Sequence, residues 1–129
     1  MNNKLNQSEW IIMEVLWEEY PCTIMEMYHK LKETTGWSKS TVITLLNRMT
    51  EKGILHREEG GKAKKYYPNI EREDVIIAET TGLIDRIYKG SIGLMMSTLV
   101  KNQVLSNNDV KELQEMLKKA GEVSDRNKH

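Results

Sequence analysis

A run of small polar and basic side chains between Gly36 and Gly53 has the types and spacing that suit contact with nucleic acid. Short hydroxyl and amide side chains let a helix backbone approach a DNA groove, and Arg or Lys reaches base edges or phosphates. At helical spacing, one face of the segment carries Lys39, Ser40, Ile43, Thr44, Asn47 and Arg48. A helix whose outer face is only solvated usually carries more Glu–Lys pairs, so we predict that this face binds DNA.

The same segment carries the signals of a helix that would present this face. Ser38 is the predicted N-cap, and Gly53 follows directly after the predicted end, where a left-handed residue is common. Apolar residues recur with a spacing of three and four on the opposite side, at Val42, Leu45, Leu46 and Met49. The segment is therefore predicted to bury one face and to expose the polar one.

The charge of the chain is uneven, although its formal net charge is zero. Residues 36–68 carry seven basic and three acidic groups, a net +4, whereas residues 1–35 carry −3 and residues 69–129 carry −1. A local excess of positive charge over the candidate helix is typical of a surface that binds phosphates. The alternative is that a few lysines only keep a surface hairpin soluble.

Two helices are predicted before this segment and a hairpin after it. The pairs Asn6–Glu9 and Thr23–Glu26 have capping-box spacing, and each precedes an apolar helical pattern. After Gly53, the sequence "ILHREEGGKAKKYYP" predicts strands over residues 54–58 and 64–67, with positive φ at Gly60 and Gly61 in the turn. Its tip and returning arm carry the further candidate DNA-binding residues Lys62, Lys64 and Lys65.

The remainder of the chain is predicted to be helical. One long helix is interrupted by Gly82 and ends near Gly90, a short apolar helix follows, and Ser106 caps a last helix before a polar tail from Gly121. Helices with one apolar stripe need a partner, and a second copy of the same segment is the simplest one. The alternative is that they fold back on the preceding domain. The predicted dimerisation residues are Ile92, Leu94, Met95, Met96, Leu99, Val100, Val110, Leu113, Met116 and Leu117.

These elements predict a mainly α protein with a small β-hairpin. Residues 1–70 would form a winged helix-turn-helix DNA-binding domain, and residues 71–129 a helical dimerisation domain with a polar C-terminal tail. A two-fold dimer suits DNA because it matches two half-sites of a palindrome.

Other classes of function find little support in the sequence. No nucleophile–base set or phosphate loop is visible, so we expect no enzymatic activity and no cofactor. The lone Cys22 and the scattered His29, His56 and His129 form no metal-ligand cluster, and we expect no metal. The sequence has no secretory signal and no long apolar run, and its single cysteine fits a reducing compartment, which predicts a cytoplasmic location without membrane insertion.

The sequence resembles the BlaI/MecI penicillinase-repressor family of bacterial transcription regulators. The similarity lies in the order and spacing of several segments along nearly the whole chain. These segments are "SEWIIMEVLW", "GWSKSTVITLLNRMTEKGIL", "YYPNIEREDV", "LIDRIYKGSIGLMMSTLV" and "LSNNDVKELQEML". They resemble, in order, the family's opening helix, recognition helix, wing exit, dimer helices and final helix.

The resemblance implies a homodimeric repressor that binds palindromic operator DNA with TACA/TGTA half-sites and controls β-lactam resistance or related genes. It implies that Ser40, Thr41, Thr44 and Arg48 face DNA, although Thr41 also stands at the N3 capping position. Ile43 departs from the long polar or basic residue common in the family, and an isoleucine there can touch a thymine methyl.

The resemblance also brings in an inducing membrane sensor-protease as a partner, because some relatives are inactivated by cleavage between an Asn and a Phe. Thr98-Leu99 occupies the matching place, and the chain contains no Phe, so that cleavage rule does not carry over. Two rival hypotheses stay open. One is a winged helix that responds to a small molecule held by the Met-rich dimer helices, and the other is a winged helix used only for protein contacts.

Overall fold

The structure is a computed structural model that describes residues 4–127, with side chains described as far as residue 123. Within that range its elements are α1 (Gln7–Glu18), α2 (Ile24–Thr35), α3 (Lys39–Glu51), β1 (Leu55–Glu58), β2 (Lys65–Pro68), α4 (Arg72–Tyr88), α5 (Ile92–Lys101) and α6 (Asn107–Asn127). Three helices, one hairpin and three more helices confirm the predicted class, mainly α with a small β-hairpin. The chain divides into two compact units, Met1–Gly82 and Leu83–His129.

The first two helices begin at the predicted capping boxes. The Asn6 side-chain oxygen accepts a hydrogen bond from the Glu9 amide at 2.8 Å, and a Glu9 carboxylate oxygen accepts one from the Asn6 amide at 3.0 Å. Thr23 and Glu26 make the same reciprocal pair at the start of α2. These bonds satisfy backbone donors that a helix N-terminus otherwise leaves without partners. The starts of α1 and α2 are therefore fixed by local sequence.

The hairpin of the first unit is antiparallel, and it is joined to α1–α2 by one extra backbone bridge. His56 stands opposite Tyr67, and Arg57 stands opposite Tyr66. Cys22, between α1 and α2, exchanges backbone hydrogen bonds with Tyr66 at 2.8 and 3.2 Å. This bridge was not predicted, and it ties the hairpin to the helical part of the unit.

The predicted turn of the hairpin was wrong. Neither Gly60 nor Gly61 has a positive φ. A two-residue hairpin loop demands left-handed residues. Here residues 59–64 connect the strands, and a connection of this length does not need a left-handed residue at either glycine. The strands also lie slightly differently from the prediction, since β1 begins at Leu55 and β2 runs Lys65–Pro68.

One apolar core holds the first unit together. Trp10 and Trp17 of α1 pack edge-to-face at its border, with ring centroids 5.7 Å apart. The Trp17 indole N–H also donates to the Ile70 carbonyl at 2.9 Å, which satisfies its polar atom. The buried apolar residues are Leu5, Ile12, Met13, Leu16, Cys22, Met27, Leu31, Val42, Leu46, Met49, Ile54, Leu55, Tyr66, Ile70 and Val75.

Helix α4 begins in the first unit and continues past Gly82 without a break. Its Val75 lies in the core of the first unit, and a Glu79 carboxylate oxygen accepts a hydrogen bond from the Leu5 amide at 3.2 Å. The predicted interruption at Gly82 was therefore wrong, because a single interior glycine costs a helix only about 1 kcal/mol. The helix ends at Tyr88, and the left-handed residues Lys89 and Gly90 confirm the predicted end.

The second unit contains α5 and α6. Ser106 and Asp109 form a reciprocal cap at the start of α6, as predicted. The helix continues through Gly121 to Asn127, so the predicted end of the helix before Gly121 was wrong. Residues 128–129 lie outside the described residues. None of the helices in the described range combines the length and apolar character needed to cross a membrane.

Many apolar side chains of the second unit remain exposed in the single chain. The exposed fraction is 60% for Ile92 and 70% for Leu117. Among the predicted dimerisation residues, Leu94, Val100, Val110 and Met116 are also exposed, and Met95, Met96, Leu99 and Leu113 are half-buried. No side chain of α5, or of α6 up to residue 123, is fully buried.

Candidate nucleic-acid interface

The first turn of α3 carries a cluster of hydrogen-bonded hydroxyl groups. Ser38 is the N-cap, as predicted, and its hydroxyl oxygen accepts a hydrogen bond from the Thr41 amide at 3.2 Å. The same oxygen lies 3.0 Å from the hydroxyls of Ser40 and Thr41. Gly36, with φ 71°, ends α2 in the left-handed conformation just before this cap. The start of α3 and its hydroxyl groups are therefore held in place by local contacts.

The polar face of α3 is exposed, as the helical pattern predicted, while Val42, Leu46 and Met49 on the opposite side are buried. The Thr44 hydroxyl donates to the Ser40 carbonyl at 3.0 Å, which fixes its rotamer along the helix. The candidate residues Lys39, Ser40, Thr44, Asn47 and Arg48 are exposed, and Thr41 and Ile43 are half-buried. A shallow depression on this face is lined by Ser40, Thr41, Thr44, Leu45 and Arg48.

The basic groups on this face differ in how much they are restrained. Within the described part of the chain, neither Lys39 nor Arg48 makes an ion pair. Their charges are therefore available to a phosphate without first breaking a contact within the protein. Lys52, at the end of α3, differs because its ammonium lies 2.7 Å from a carboxylate oxygen of Glu9.

The Glu9–Lys52 pair holds the last turn of α3 against the start of α1. The Glu9 side chain is 5% exposed, and its other oxygen takes part in the capping box of α1. A buried carboxylate needs such partners because it loses its hydration. The pair thus links the C-terminal end of the candidate DNA-binding helix to the core.

The wing, which consists of β1, β2 and the connecting residues 59–64, supplies a second set of exposed cations. Lys62, Lys64 and Lys65 are all exposed on the hairpin and its turn. Lys64 shares a surface depression with Asn47 of α3, whereas Lys65 is close enough to Glu26 of α2 for its charge to contribute to lowering the pKa of that carboxyl. Lys64 and Lys65 therefore lie towards different helices, α3 and α2.

Arg57 of β1, which was not among the predicted site residues, contacts α3 from the wing. Its guanidinium Nη1 donates to the Asn47 side-chain oxygen at 3.4 Å, and its Nε lies 3.1 Å from a Glu59 carboxylate oxygen. The alternation of β1 could have identified it, because Arg57 shares a strand face with the buried Leu55. The depression between α3 and the wing is lined by Asn47, Thr50, Glu51, Arg57 and Lys64.

The opposite face of the wing is fixed by an aromatic stack and by Asn69. The His56 ring stacks on Tyr67 with centroids 5.0 Å apart, and a His56 ring nitrogen is hydrogen bonded to Asn69. The Asn69 amide group donates to the Gly53 carbonyl at 3.1 Å. Desolvation and the neighbouring Glu58 carboxylate raise the pKa of the Tyr67 hydroxyl above its usual value. These contacts hold the base of the wing at the end of α3.

The described side chains offer no group of three or more His, Cys, Asp or Glu residues that could hold a metal ion. His129 lies outside the described residues. The exposed side chains of α3 and the wing instead combine hydroxyls, an amide and several cations. This is the mixture of groups that contacts base edges and phosphates in protein–DNA complexes.

Comparison with known proteins agrees with this geometry. The family model described as penicillinase repressor matches residues 5–119. The chain belongs to the penicillinase repressor family. This confirms the resemblance to the BlaI/MecI family. Members of this family are DNA-binding transcriptional repressors and not enzymes, which also confirms the expectation that the chain is not an enzyme.

Individual relatives match along most of their length. The chain is 29% identical over 114 residues to the penicillinase repressor of Bacillus licheniformis, covering 88% of this chain and 89% of that one. It is 26% identical over 122 residues to the methicillin resistance regulatory protein MecI of Staphylococcus aureus strain N315, covering 92% and 99%.

A solved structure supports the winged-helix fold of the first unit. The solution structure of the DNA-binding domain of the repressor BlaI matches with a TM-score of 0.50 at 31% identity. The match covers 54% of this chain and 85% of that domain. The winged helix predicted from the caps, the apolar seam and the basic hairpin is therefore confirmed as a fold, while the contacts of individual side chains with DNA stay predictions.

Proposed function

We propose that this protein is a homodimeric transcriptional repressor that binds palindromic operator DNA with TACA/TGTA-type half-sites and excludes RNA polymerase sterically. The proposal rests chiefly on the exposed polar face of α3, which lies beside a basic wing in a chain of the penicillinase repressor family. Its DNA-binding residues would be Lys39, Ser40, Thr41, Ile43, Thr44, Asn47, Arg48, Lys62, Lys64 and Lys65. An operator as partner places the protein in the cytoplasm.

Within this proposal the residues divide into two roles. Arg48 and the wing lysines would neutralise phosphates, because they are exposed cations, and Arg48 makes no ion pair among the described residues. Ser40, Ile43 and Thr44 would contact base edges in the major groove, because their side chains are short and lie on one helix face. The half-buried Ile43 would offer an apolar contact to a thymine methyl group.

The first test is fluorescence anisotropy on a duplex with paired TACA/TGTA half-sites, against a scrambled duplex, across a salt series. We expect site-preferring binding that weakens with salt. Arg48→Ala should weaken binding to every sequence and lower the salt slope by about one, the value for one lost phosphate contact. Arg72→Ala is the matched control, because Arg72 of α4 pairs with Glu14 outside the proposed interface.

Each outcome of this test has a distinct meaning. Unchanged affinity and salt slope in Arg48→Ala would refute the docking of α3. Salt-sensitive binding without site preference would refute the half-site sequence but keep DNA binding. No binding at low salt would favour the rival in which the winged helix serves only protein contacts.

The dimer has its own support and its own test. The exposed apolar side chains of α5 and α6 need cover, and a second copy of these helices would bury them. We expect sedimentation equilibrium to give a dimer that Leu117→Asp weakens, whereas Lys111→Asp, which replaces an exposed charged residue, leaves it intact. A monomeric wild-type chain at tens of micromolar would contradict the proposal.

The proposal includes two candidate inducing signals, a membrane sensor-protease and a small molecule. A membrane sensor-protease would have to cleave near Thr98-Leu99, and this bond lies within α5 in a chain that has no Phe. The rival inducer is a small molecule bound among the Met-rich helices. A ligand that raises the melting temperature and releases DNA would favour the small molecule, while a chain cut within α5 upon induction would favour the protease.

A further inference from the structure

The contact between Arg57 and Asn47 has a chemical consequence for what Asn47 presents to DNA. The side-chain amide of Asn47 has one acceptor oxygen and one donor nitrogen. A guanidinium has only donors, so the atom of Asn47 that faces Arg57 must be the oxygen. It lies 3.4 Å from Nη1 of Arg57. The amide nitrogen is therefore the group left to face away from the wing.

Arg57 is itself held in the orientation that makes this contact. Its Nε lies 3.1 Å from the Glu59 carboxylate, and its side chain is 36% exposed. The Glu59 carboxylate thus lies beside Nε as an ion-pair partner, while Nη1 donates to the Asn47 oxygen. Glu59, Arg57 and Asn47 thus form a chain of contacts from the wing turn to the helix.

A free asparagine and one held in this way read different bases. A free asparagine pairs bidentately with adenine, because it accepts from N6 and donates to N7. An asparagine whose oxygen is engaged by Arg57 offers chiefly its N–H groups. Guanine offers the two acceptors O6 and N7, and thymine offers O4. Adenine offers only N7, and the N6 donor beside it needs the acceptor that Arg57 engages.

We propose that Arg57 is a specificity-determining positioning residue that fixes Asn47 as a hydrogen-bond donor, so that Asn47 selects guanine or thymine over adenine. The inference rests on the proposed DNA-binding function and deepens it. Arg57 acts through the Asn47 amide and need not touch the selected base. The general attraction to phosphates comes from other cations, so the effect of Arg57 on sequence preference can be separated from its effect on overall affinity.

The test is selection from a randomised duplex library with the purified full-length chain, followed by sequencing. Asn47→Ala first identifies the base position that Asn47 reads, as the position whose preference is lost. Wild type should prefer guanine or thymine there. Arg57→Met keeps the aliphatic stem and removes the guanidinium, and we expect it to shift the preference towards adenine by about fivefold or more, within the range of one base-pair contact. Arg72→Ala should leave the preference unchanged.

Two further variants test whether the effect of Arg57 passes through the Asn47 amide. Asn47→Asp keeps an oxygen facing Arg57 but has no donor, so it should lose the preference for guanine or thymine. The double variant of Arg57→Met and Asn47→Ala should show the preference of Asn47→Ala alone, because Arg57 acts through Asn47. Melting curves confirm that each variant is folded, and Arg57→Ala, which also removes every side-chain donor, replaces Arg57→Met if that variant does not fold.

The results that overturn the inference are specific. It fails if wild type prefers adenine at the Asn47-dependent position, if Arg57→Met keeps the wild-type preference there, or if Asn47→Ala changes no position. In each of these cases the library still enriches, so the proposed function stands. If wild type enriches no sequence and binds no duplex at low salt, the proposed function itself fails.

Discussion

Replacing Lys52 by Met would measure how strongly the end of α3 depends on its buried ion pair. The Lys52 ammonium lies 2.7 Å from Glu9, whose side chain is 5% exposed, while the Lys52 side chain is 54% exposed. Met keeps most of the aliphatic stem and removes the charge. The substitution therefore leaves a buried carboxylate oxygen without its partner and disturbs little else.

The expected loss lies between two known limits. Breaking a fully buried pair by removing one partner costs about 3–5 kcal/mol, and breaking an exposed pair costs about 0.2–1 kcal/mol. The Glu9 carboxylate is buried, but its second oxygen keeps the bond from the Asn6 amide, and half-exposed Lys52 leaves room for water. We therefore expect Lys52→Met to lower the free energy of unfolding by about 1–3 kcal/mol.

The matched control is Lys30→Met. Lys30 lies 3.3 Å from Glu19, whose side chain is 75% exposed, so its loss should cost no more than about 1 kcal/mol. Urea denaturation of the full chain, followed by circular dichroism at one fixed protein concentration, gives both values. Equal losses for Lys52→Met and Lys30→Met would refute the reasoning, because burial of the carboxylate would then carry no weight.

Three further predictions follow from single positions. Gly36→Ala should lower the free energy of unfolding by about 1–2 kcal/mol, because φ is 71° at Gly36, although no atom lies within 4 Å of the new Cβ. Gly82→Ala, inside α4, should raise the free energy of unfolding by about 0.5–1 kcal/mol. The two variants should therefore shift the denaturation midpoint in opposite directions from that of wild type, and shifts of the same sign would contradict both predictions. Cys22 is 1% exposed and burial raises the pKa of its thiol, so iodoacetamide should alkylate the native chain orders of magnitude more slowly than the unfolded one, and equal rates would contradict its burial. Backbone and side-chain hydrogen bonds to Thr23 lower the pKa of Glu26 below 4.5. The ionised carboxylate therefore stabilises the folded chain fully above that pH, and this stabilisation is lost as the pH falls through the lowered pKa. Glu26→Gln should lower the free energy of unfolding at neutral pH more than in acid, and an equal loss at both pH values would contradict this.

Features set by neighbouring residues were predictable from the sequence. The caps at Asn6, Thr23, Ser38 and Ser106 are all present, because each depends on residues only three positions apart. The left-handed end of α3 at Gly53 follows for the same reason. Helical periodicity likewise identified which face of α3 is buried, because the spacing of apolar residues directly gives the buried side.

Features that depend on the surroundings of a residue were missed or wrong. An interruption at Gly82 and a helix end before Gly121 were predicted, but a glycine ends a helix only where the chain also turns, and both helices continue. The backbone bridge between Cys22 and Tyr66 joins segments far apart in sequence, and no local pattern marks it. Arg57 was missed for a related reason, since its role arises from the contact of the wing with α3.

The side chains of α3 also differ in how much freedom they would lose on binding. The hydroxyls of Ser38, Thr41 and Thr44 already make hydrogen bonds within the helix, so few of their rotamers remain to be lost. Arg48 is exposed and makes no ion pair among the described residues, so it can reach phosphates at different positions. Long-range attraction mainly sets the rate of association, and fixed short-range contacts mainly set the rate of dissociation. We therefore expect Arg48→Ala to slow association with DNA and Thr44→Ala to speed dissociation from the preferred site. Stopped-flow anisotropy separates the two rates, and a slower association in Thr44→Ala would contradict this division of roles.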